Sequence, residues 1–507
     1  MMLAGSRLLE LALSATSGVL LALSFPRVGH PAFAWVALVP LLLAVVRARS
    51  VAKGFAYGLV AGGVYFAGTI YWIPHVMDEY GGMPGALAWA VHLLLVAVLA
   101  LFVAAFGAGL AIVARRHGPA ALHVAPALWV TVELGRIHLF TGFPWVLLGY
   151  SQTPVLPVAQ LASLAGVLGL SALVALVNAT LAYAVVVGGV RRTRMVAATA
   201  AVVLMALGFG AWRLQDDALR SAGAPLRVAA VQGNIAQHDK WNPVLRDEIV
   251  DGYLDLTREA AAAGARLVVW PEAATPFAFQ NEPLSADEVR QVARATGTHL
   301  LIGTTDVRYD GAPRYFNAAV MVDAAGNTAG IYHKQHLVPF GEYVPLRRLL
   351  FFVSPLVESI GDFSPGPGPR TLNMDGAAVG TAICYEIIYP DLVRGFVTRG
   401  SRLLATVTND AWYGRTAAPY QHFQQASMRA IELGRYLVRA ANTGISGVVD
   451  PYGRVVASTP IFERRMLVSD VRLLDGRTLY SRTGDVLAYA CAALAALVLM
   501  ISIRRRV

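Results

Sequence analysis

Long apolar runs dominate this chain, and their spacing decides what it can fold into before any motif is considered. Eight stretches, near 8–25, 32–46, 55–73, 86–113, 119–138, 157–188, 195–213 and 485–503, approach the ~20 residues that carry a helix across a hydrocarbon core of ~30 Å. With 56% hydrophobic and 15% charged residues, the chain is too apolar for a water-soluble protein of its size. Between 214 and 484 no comparable run occurs and charge density returns to that of a soluble domain. The expected organisation is a transmembrane α-helical bundle over 1–213, a catalytic-sized domain over 214–484, and a last transmembrane helix with a basic tail over 485–507.

Lys and Arg orient that bundle. Basic clusters follow span two (Arg47, Arg49, Lys53), span four (Arg115, Arg116), span six (Arg191, Arg192, Arg194) and span eight (Arg504, Arg505, Arg506), whereas loops after odd spans carry almost none. Positive charge accumulates on the cytoplasmic side, so both termini are expected in the cytoplasm. Segment 214–484 is then expected outside the cytoplasm. Ala32-Phe33-Ala34 has the look of a signal-peptide cleavage site, but the second apolar run starts almost at once, and span one reads as retained.

The formal charge of +10 is a topology signal. Setting aside the eleven loop residues above and Arg7 leaves 30 of the 42 basic residues against 32 acidic ones. No basic tract interleaved with aromatics remains, so nucleic acid is excluded as a partner. Two cysteines make no disulfide framework. Cys491 falls inside span eight, far in depth from Cys384, so a bridge between them is geometrically implausible. A lone thiol kept in an oxidising compartment points to chemical use.

Within 214–484, RVAAVQGN (227–234), ARLVVWPE (265–272), THLLIGTT (298–305), NAAVMVD (317–323), AAVGTAICYE (377–386) and RLLATVTND (402–410) read as buried strands. They are apolar at consecutive positions, as a sheet covered on both faces requires. Helices are expected over 243–263, 284–296 and 418–440, and tight hairpins around Asp323 to Gly326 and Asp450 to Gly453. Alternating strands and helices with hairpin excursions predict an α/β layered sandwich.

Strand ends in such folds expose reactive groups. Glu272 follows Trp270-Pro271, Lys334 follows the hairpin strand, Cys384 follows Thr381-Ala382-Ile383, and Asn409 and Asp410 follow the next run. A thiol, a carboxylate and an ammonium converging on one rim make an acyl-transfer centre of nucleophile, proton shuttle and oxyanion partner. Taken singly, each has a plainer reading: an inert core cysteine, a turn-capping Glu, a solvated lysine. His333 and His336 flank Lys334 without a third ligand at useful spacing, so no metal is expected. No Gly-rich phosphate cradle appears, and no cofactor is expected. Residue chemistry alone leaves open whether Glu272 deprotonates the thiol or Lys334 already holds a thiolate, and whether water or an amine accepts the acyl group.

WPE, then YHKQHLVPFGEYVP, then ICYE, then NDAWYG resembles the nitrilase superfamily, whose members use a Glu–Lys–Cys triad in an αββα sandwich. HLVPFGEYVP (336–345), ICYEIIYPD (383–391), TNDAWYG (408–414), FPW (143–145) and YWIPH (71–75) resemble its membrane-embedded branch, the apolipoprotein N-acyltransferase family. The resemblance implies Glu272 as general base, Cys384 as nucleophile and Lys334 as oxyanion-stabilising cation. It also implies Glu342 as a second carboxylate, Tyr385 and Glu386 as supporting residues with the Tyr385 N–H as oxyanion donor, and Trp241 and Asn409 as substrate-binding residues. The implied reaction moves a fatty acyl chain from a phospholipid, typically phosphatidylethanolamine, through a Cys thioester to the α-amine of diacylglyceryl-cysteine on an apolipoprotein. A monomer is expected. The competing readings are a membrane-tethered amidase or hydrolase and a transporter with an external binding domain; the latter lacks the inverted repeats such proteins show. Segment 344–369 is a candidate lid, and Glu133 and Arg136, one turn apart within span five, are expected to pair.

Overall fold

Each of the six apolar runs between 227 and 410 is a strand in the computed structural model, which describes residues 2–309, 311–344 and 362–504. The chain divides into two units. One comprises Met1–Pro74, Met83–Asp216 and Thr483–Val507; the other comprises His75–Gly82 and Asp217–Arg482.

Twelve strands among the described residues build the second unit: β1 (Ala224–Gln232), β2 (Leu267–Val269), β3 (His299–Arg308), β4 (Arg314–Val322), β5 (Thr328–His333), β6 (Thr371–Met374), β7 (Ala377–Ile383), β8 (Leu403–Thr408), β9 (Leu437–Ala441), β10 (Gly447–Val449), β11 (Val455–Ser458) and β12 (Arg465–Leu473). They form two six-stranded sheets, ordered β12-β1-β2-β3-β4-β5 and β11-β10-β9-β8-β7-β6. The central trios β1-β2-β3 and β7-β8-β9 are parallel. Parallel strands need crossover helices, and those helices cover the outer faces. Helices Arg246–Ala262 and Pro283–Thr296 bury Ile249, Tyr253, Leu254 and Val289 against Val231, Val268, Leu300 and Ile302. Their apolar faces supply one half of the core. Across the interior, β1 faces β9, β3 faces β8 and β4 faces β7.

Sequence periodicity misreads one element here. The helix expected over 418–440 stops at Leu433, where Gly434 takes a left-handed φ of +60°, the usual helix C-terminal conformation. Leu437–Ala441 then enters the second sheet as buried β9. A short apolar run after a helix carries no period of its own to distinguish the two. Strand β12 lacks an apolar run because it is an edge strand, with Arg465, Asp470 and Arg472 along it. Both expected hairpins are present, with Asp323 and Asp450 each receiving backbone N–H groups across the turn.

The first unit is helical. Among its described residues, five helices are long and apolar enough to cross a membrane: Pro31–Ala48, Gly85–His123, Ala162–Val186, Gly189–Ser221 and Val486–Arg504. A sixth is added if Val51–Thr69 is taken together with Ile73–Glu79. The apolar run at 119–138 is divided into a 3-10 turn, Gly118–His123, and a fourteen-residue helix, Ala125–His138. A helix of that length rises only about 20 Å, less than a hydrocarbon core. Glu133 and Arg136 are both buried on it, 4.0 Å apart, and Glu133 also accepts a 2.7 Å bond from the Leu148 N–H. Gly54 and Gly58, four residues apart, let Val51–Thr69 touch Gly85–His117 backbone to backbone. A Cβ on Gly58 would stand 2.3 Å from the Val103 oxygen, the close approach that small-xxx-small spacing permits.

Candidate active site

Pro271 and Glu272 turn away immediately after β2, and the turn is left-handed at Ala273, with φ +45°. Gly303 on the neighbouring β3 makes room for it: a Cβ there would stand 2.3 Å from the Pro271 oxygen and 2.6 Å from the Glu272 Cα. Lys334 follows β5 and is held by its backbone N–H on Asn317 O at 2.8 Å. Cys384 follows β7 with φ +51° and opens a 3-10 turn, Cys384–Ile388. A non-glycine residue in that conformation costs about 1–3 kcal/mol and persists only where the surroundings impose it. It is the geometry that lifts a nucleophile off a strand end.

These three side chains line one pocket together with Glu342, Trp241 and Asn409. Lys334 is 1% exposed, and its Nζ lies 3.0 Å from the Glu342 carboxylate and 3.4 Å from Glu272 Oε1. The Asn317 amide nitrogen donates to Glu272 Oε1 and Glu342 Oε1, both at 2.7 Å, bridging the two carboxylates. Glu272 Oε2 accepts the Asn409 N–H at 2.9 Å, and Glu342 Oε2 accepts the Val338 N–H at 2.8 Å. Burial opposes the Lys334 charge, but the carboxylates of Glu342 and Glu272 outweigh it and hold the group as an ammonium, its pKa raised. The Cys384 thiol is pushed up instead, by burial first and by the Glu272 carboxylate second, against the opposing pull of Lys334. Burial and the nearby carboxylate thus both favour the thiol form of Cys384 over the thiolate.

Behind the pocket, Glu386 is fully buried and pushed up to about 7 by desolvation, which the N–H of Ile383 and the Lys334 charge only partly offset. Its carboxylate accepts from the Tyr332 hydroxyl at 2.8 Å and from the N–H groups of Gln335 (2.7 Å), His336 (3.2 Å) and Ile383 (2.8 Å). His422 contacts the Cys384 carbonyl through Nε2 at 3.2 Å, and its Nδ1 lies 3.0 Å from Asp410. Asp410 pairs with the equally buried Arg439 at 2.8 Å. Desolvation would raise the Asp410 carboxyl, but Arg439 and His422 bring it down to about 2.

The strand-end pattern put Glu272, Lys334, Cys384, Asn409 and Asp410 on one rim, and the resemblance added Glu342 and Trp241; all of these except Asp410 line the pocket. Tyr385 and Glu386 do not line it. Asn409 spends its side-chain amide on Gln237 at 2.7 Å and receives Asn442 at 3.0 Å, so it meets Glu272 through its backbone. His333 pairs with Asp306 at 2.7 Å, while His336 stacks on Tyr389 with ring centroids 3.8 Å apart. No cluster of metal-ligating side chains occurs among the described residues. Of the candidate lid, residues 345–361 lie outside the described residues; Phe363 just beyond them lines the pocket and donates to Glu342 O at 3.0 Å.

Three contributors were missed. Asn317 was hidden as the first residue of an apolar strand, and His422 inside an apparently plain helix. Lys240, one residue before Trp241, is 2% exposed, lines the pocket and donates to the Glu272 carbonyl at 2.8 Å. The only signal for it was its neighbour. The pocket is also walled by a segment from far earlier in the chain: Val76 lines it, and the Tyr80 hydroxyl donates to Ala411 O at 3.0 Å while its ring meets Trp412 edge-on at 5.1 Å.

Residues 227–479 match the family described as carbon-nitrogen hydrolase, and residues 17–180 match the apolipoprotein N-acyltransferase N-terminal domain. The chain is 42% identical over 501 residues to the apolipoprotein N-acyltransferase of Geobacter metallireducens, covering 97% of this chain and 94% of the relative. It is 36% identical over 489 residues to that of Methylococcus capsulatus, covering 93% and 92%. Among solved structures, an amidase from Nesterenkonia sp. aligns with 53% of this chain and 97% of its own at 22% identity and a TM-score of 0.40.

Proposed function

The chain belongs to the apolipoprotein N-acyltransferase family, and from that premise we propose that Cys384 carries a phospholipid-derived acyl chain as a thioester and yields it to an N-terminal amine. The enzyme is a lipoprotein N-acyltransferase with a carbon-nitrogen hydrolase-type catalytic domain. The acceptor is the α-amine of a diacylglyceryl-cysteine, and phosphatidylethanolamine is the donor that family resemblance favours.

In the first half-reaction Glu272 takes the thiol proton as Sγ of Cys384 attacks the ester carbonyl. Lys334 and the Tyr385 N–H stabilise the oxyanion, an effect worth about 3–4 kcal/mol per donor. The C–O bond then breaks, Glu272 returns the proton to the leaving alcohol, and lysophospholipid departs. In the second half-reaction an amine attacks the thioester, the C–S bond breaks, and the thiol is regenerated. Passing from ester to thioester to amide ends in the most stable acyl bond, so no nucleotide is required.

One observation carries this reading: a buried ammonium, Lys334, lies within 3.4 Å of two carboxylates in the pocket that Cys384 also lines. Anchoring both substrates in a bilayer suits the apolar helices, since moving a ~16-carbon chain into water costs about 0.8 kcal/mol per CH₂. The Lys/Arg bias supports an eight-span chain with both termini cytoplasmic and 214–484 outside. Expected from mass spectrometry of the purified full chain incubated with phosphatidylethanolamine is an acyl-sized adduct on Cys384, discharged by a diacylated lipopeptide and absent from Cys384→Ala. Free fatty acid as the sole product would establish a hydrolase instead.

A further inference from the structure

We propose that Lys240 takes the first proton from the incoming amine in the second half-reaction. The proposal rests on the thioester reading above. Its starting point is a proton count. An N-terminal α-amine has a pKa of about 7.7–8.0, so it arrives largely as an ammonium, which has no lone pair to attack with. Becoming an amide requires the loss of two protons. Glu272, left as a carboxylate once lysophospholipid has gone, can take only the second of these and pass it to the departing Cys384 sulfur.

The first proton needs a separate acceptor beside Glu272, and Lys240 is placed for it. Its Nζ is tied to the backbone oxygen of Glu272 itself, at 2.8 Å, on the wall of the pocket that holds Cys384. No protein donor to that nitrogen occurs among the described residues, so in the neutral form, with one N–H on Glu272 O, its lone pair is available to the pocket. The titratable groups acting on it are Glu272 and Cys384, and of these only the Glu272 carboxylate is charged while Cys384 is acylated. Burial lowers its pKa to about 8, against the opposing pull of the Glu272 carboxylate; a minority of Lys240 is therefore neutral at neutral pH, and because its pKa is close to that of the incoming amine the proton passes between the two with little free-energy difference.

The other titratable groups nearby are committed, Glu342 to Lys334, the Asn317 amide and the Val338 N–H. Lys334 is held charged by two carboxylates, with its pKa raised. His336 is brought down to about 4, by burial and then by Lys334, and its ring stacks on Tyr389. His422 contacts the Cys384 carbonyl and Asp410. His238 is solvent-exposed and faces Asp239.

The step balances. Neutral Lys240 accepts a proton from the acceptor ammonium, the freed amine forms the C–N bond, and the C–S bond breaks. Glu272 carries the second proton to sulfur, and Lys240 releases the first to solvent before the next cycle.

The test separates the half-reactions in the full-length protein. Acyl-enzyme formed from phosphatidylethanolamine is chased with diacylated lipopeptide between pH 6 and 9, for wild type, Lys240→Met and Lys240→Arg. At neutral pH both variants are expected to lower the ratio of aminolysis rate to acylation rate at least tenfold. The deficit should close toward pH 9, and with hydroxylamine, a nucleophile already uncharged at neutral pH. Wild-type aminolysis in Lys240→Arg would overturn the proposal, because a permanent cation cannot accept a proton and Lys240 would then serve only as a fixed charge. Equal slowing of both half-reactions at every pH would overturn it as well. Failure of the wild type to form any acyl-enzyme would instead remove the thioester reading, and this proposal with it.

Discussion

Glu386 accepts a hydrogen bond from the backbone N–H of Gln335 at 2.7 Å, one residue beyond Lys334. Its other carboxylate oxygen accepts the Ile383 N–H at 2.8 Å, one residue before Cys384. A single buried side chain thus pins the end of a strand in one sheet to the nucleophile's turn in the other. On the proposed mechanism Glu386 acts through the spacing of Lys334 and Cys384, as a positioning residue. Glu386→Ala would strand four donors, and a buried unpaired donor costs about 1–3 kcal/mol; the variant is expected to melt well below wild type. Glu386→Gln turns an N–H group against the N–H groups it must accept from, and is expected to cut adduct formation on Cys384 at least a hundredfold.

The same residue gives a pH dependence. Its pKa in the fold, about 7, lies above the ordinary carboxylate value, so the folded state prefers the protonated form. The stability it contributes is fully present below about pH 4.5 and is lost as pH rises through about 7. Thermal melting of the wild type is expected to fall across that window. Glu386→Gln, which cannot ionise, should lack this component; an identical pH slope in both proteins would refute the assignment.

Asn317 separates two carboxylates that would otherwise share Lys334 without an intervening donor. Asn317→Asp removes that N–H and brings a third acid next to one ammonium. The expected result is a raised pKa within the cluster, a shift of the pH–rate profile for acylation to higher pH, and a loss of roughly 10²-fold at neutral pH, on the scale of removing one charge-stabilising donor. Asn317→Gln, which keeps the amide chemistry, should lose less.

Gly303 is far from the sulfur in sequence but leaves no room for a methyl group beside Glu272. Gly303→Ala must push the Pro271–Glu272 backbone outward. Because a shift of about 1 Å at a catalytic group can cost on the order of 10²-fold, acylation should fall much further than thermal stability. Equal losses in both would mean that the contact is only a packing constraint.

Asp410 and Arg439 form a completely buried pair. Removing one partner leaves an uncompensated charge, at a cost of about 3–5 kcal/mol, so Asp410→Asn or Arg439→Met should each unfold the catalytic unit far more readily than the double replacement. Denaturant melts of the three variants give the coupling directly.

The sequence was legible where one physical requirement dominates. Consecutive apolar residues marked the central strands, and the ends of β2, β5 and β7 carried Glu272, Lys334 and Cys384 into one pocket. It was illegible where tertiary context decides. Leu437–Ala441 resembles the tail of a helix until the left-handed turn at Gly434 is seen. Asn317 and Lys240 have no motif of their own, because their roles come from what the fold sets beside them. The span count is ambiguous for a related reason: 119–138 is apolar throughout, yet a turn divides it and two charges are buried within it.

Val76 and Tyr80 belong to an eight-residue stretch, His75–Gly82, that clusters with the catalytic unit although it is encoded within the helical part of the gene product. An excised fragment spanning only Asp217–Arg482 would therefore leave Trp412 without its edge-on ring partner and the cavity without one of its walls. Truncations that keep only Asp217–Arg482 should be judged as incomplete parts, and joining His75–Gly82 to that fragment through a linker is the cut that respects the molecule's own seams.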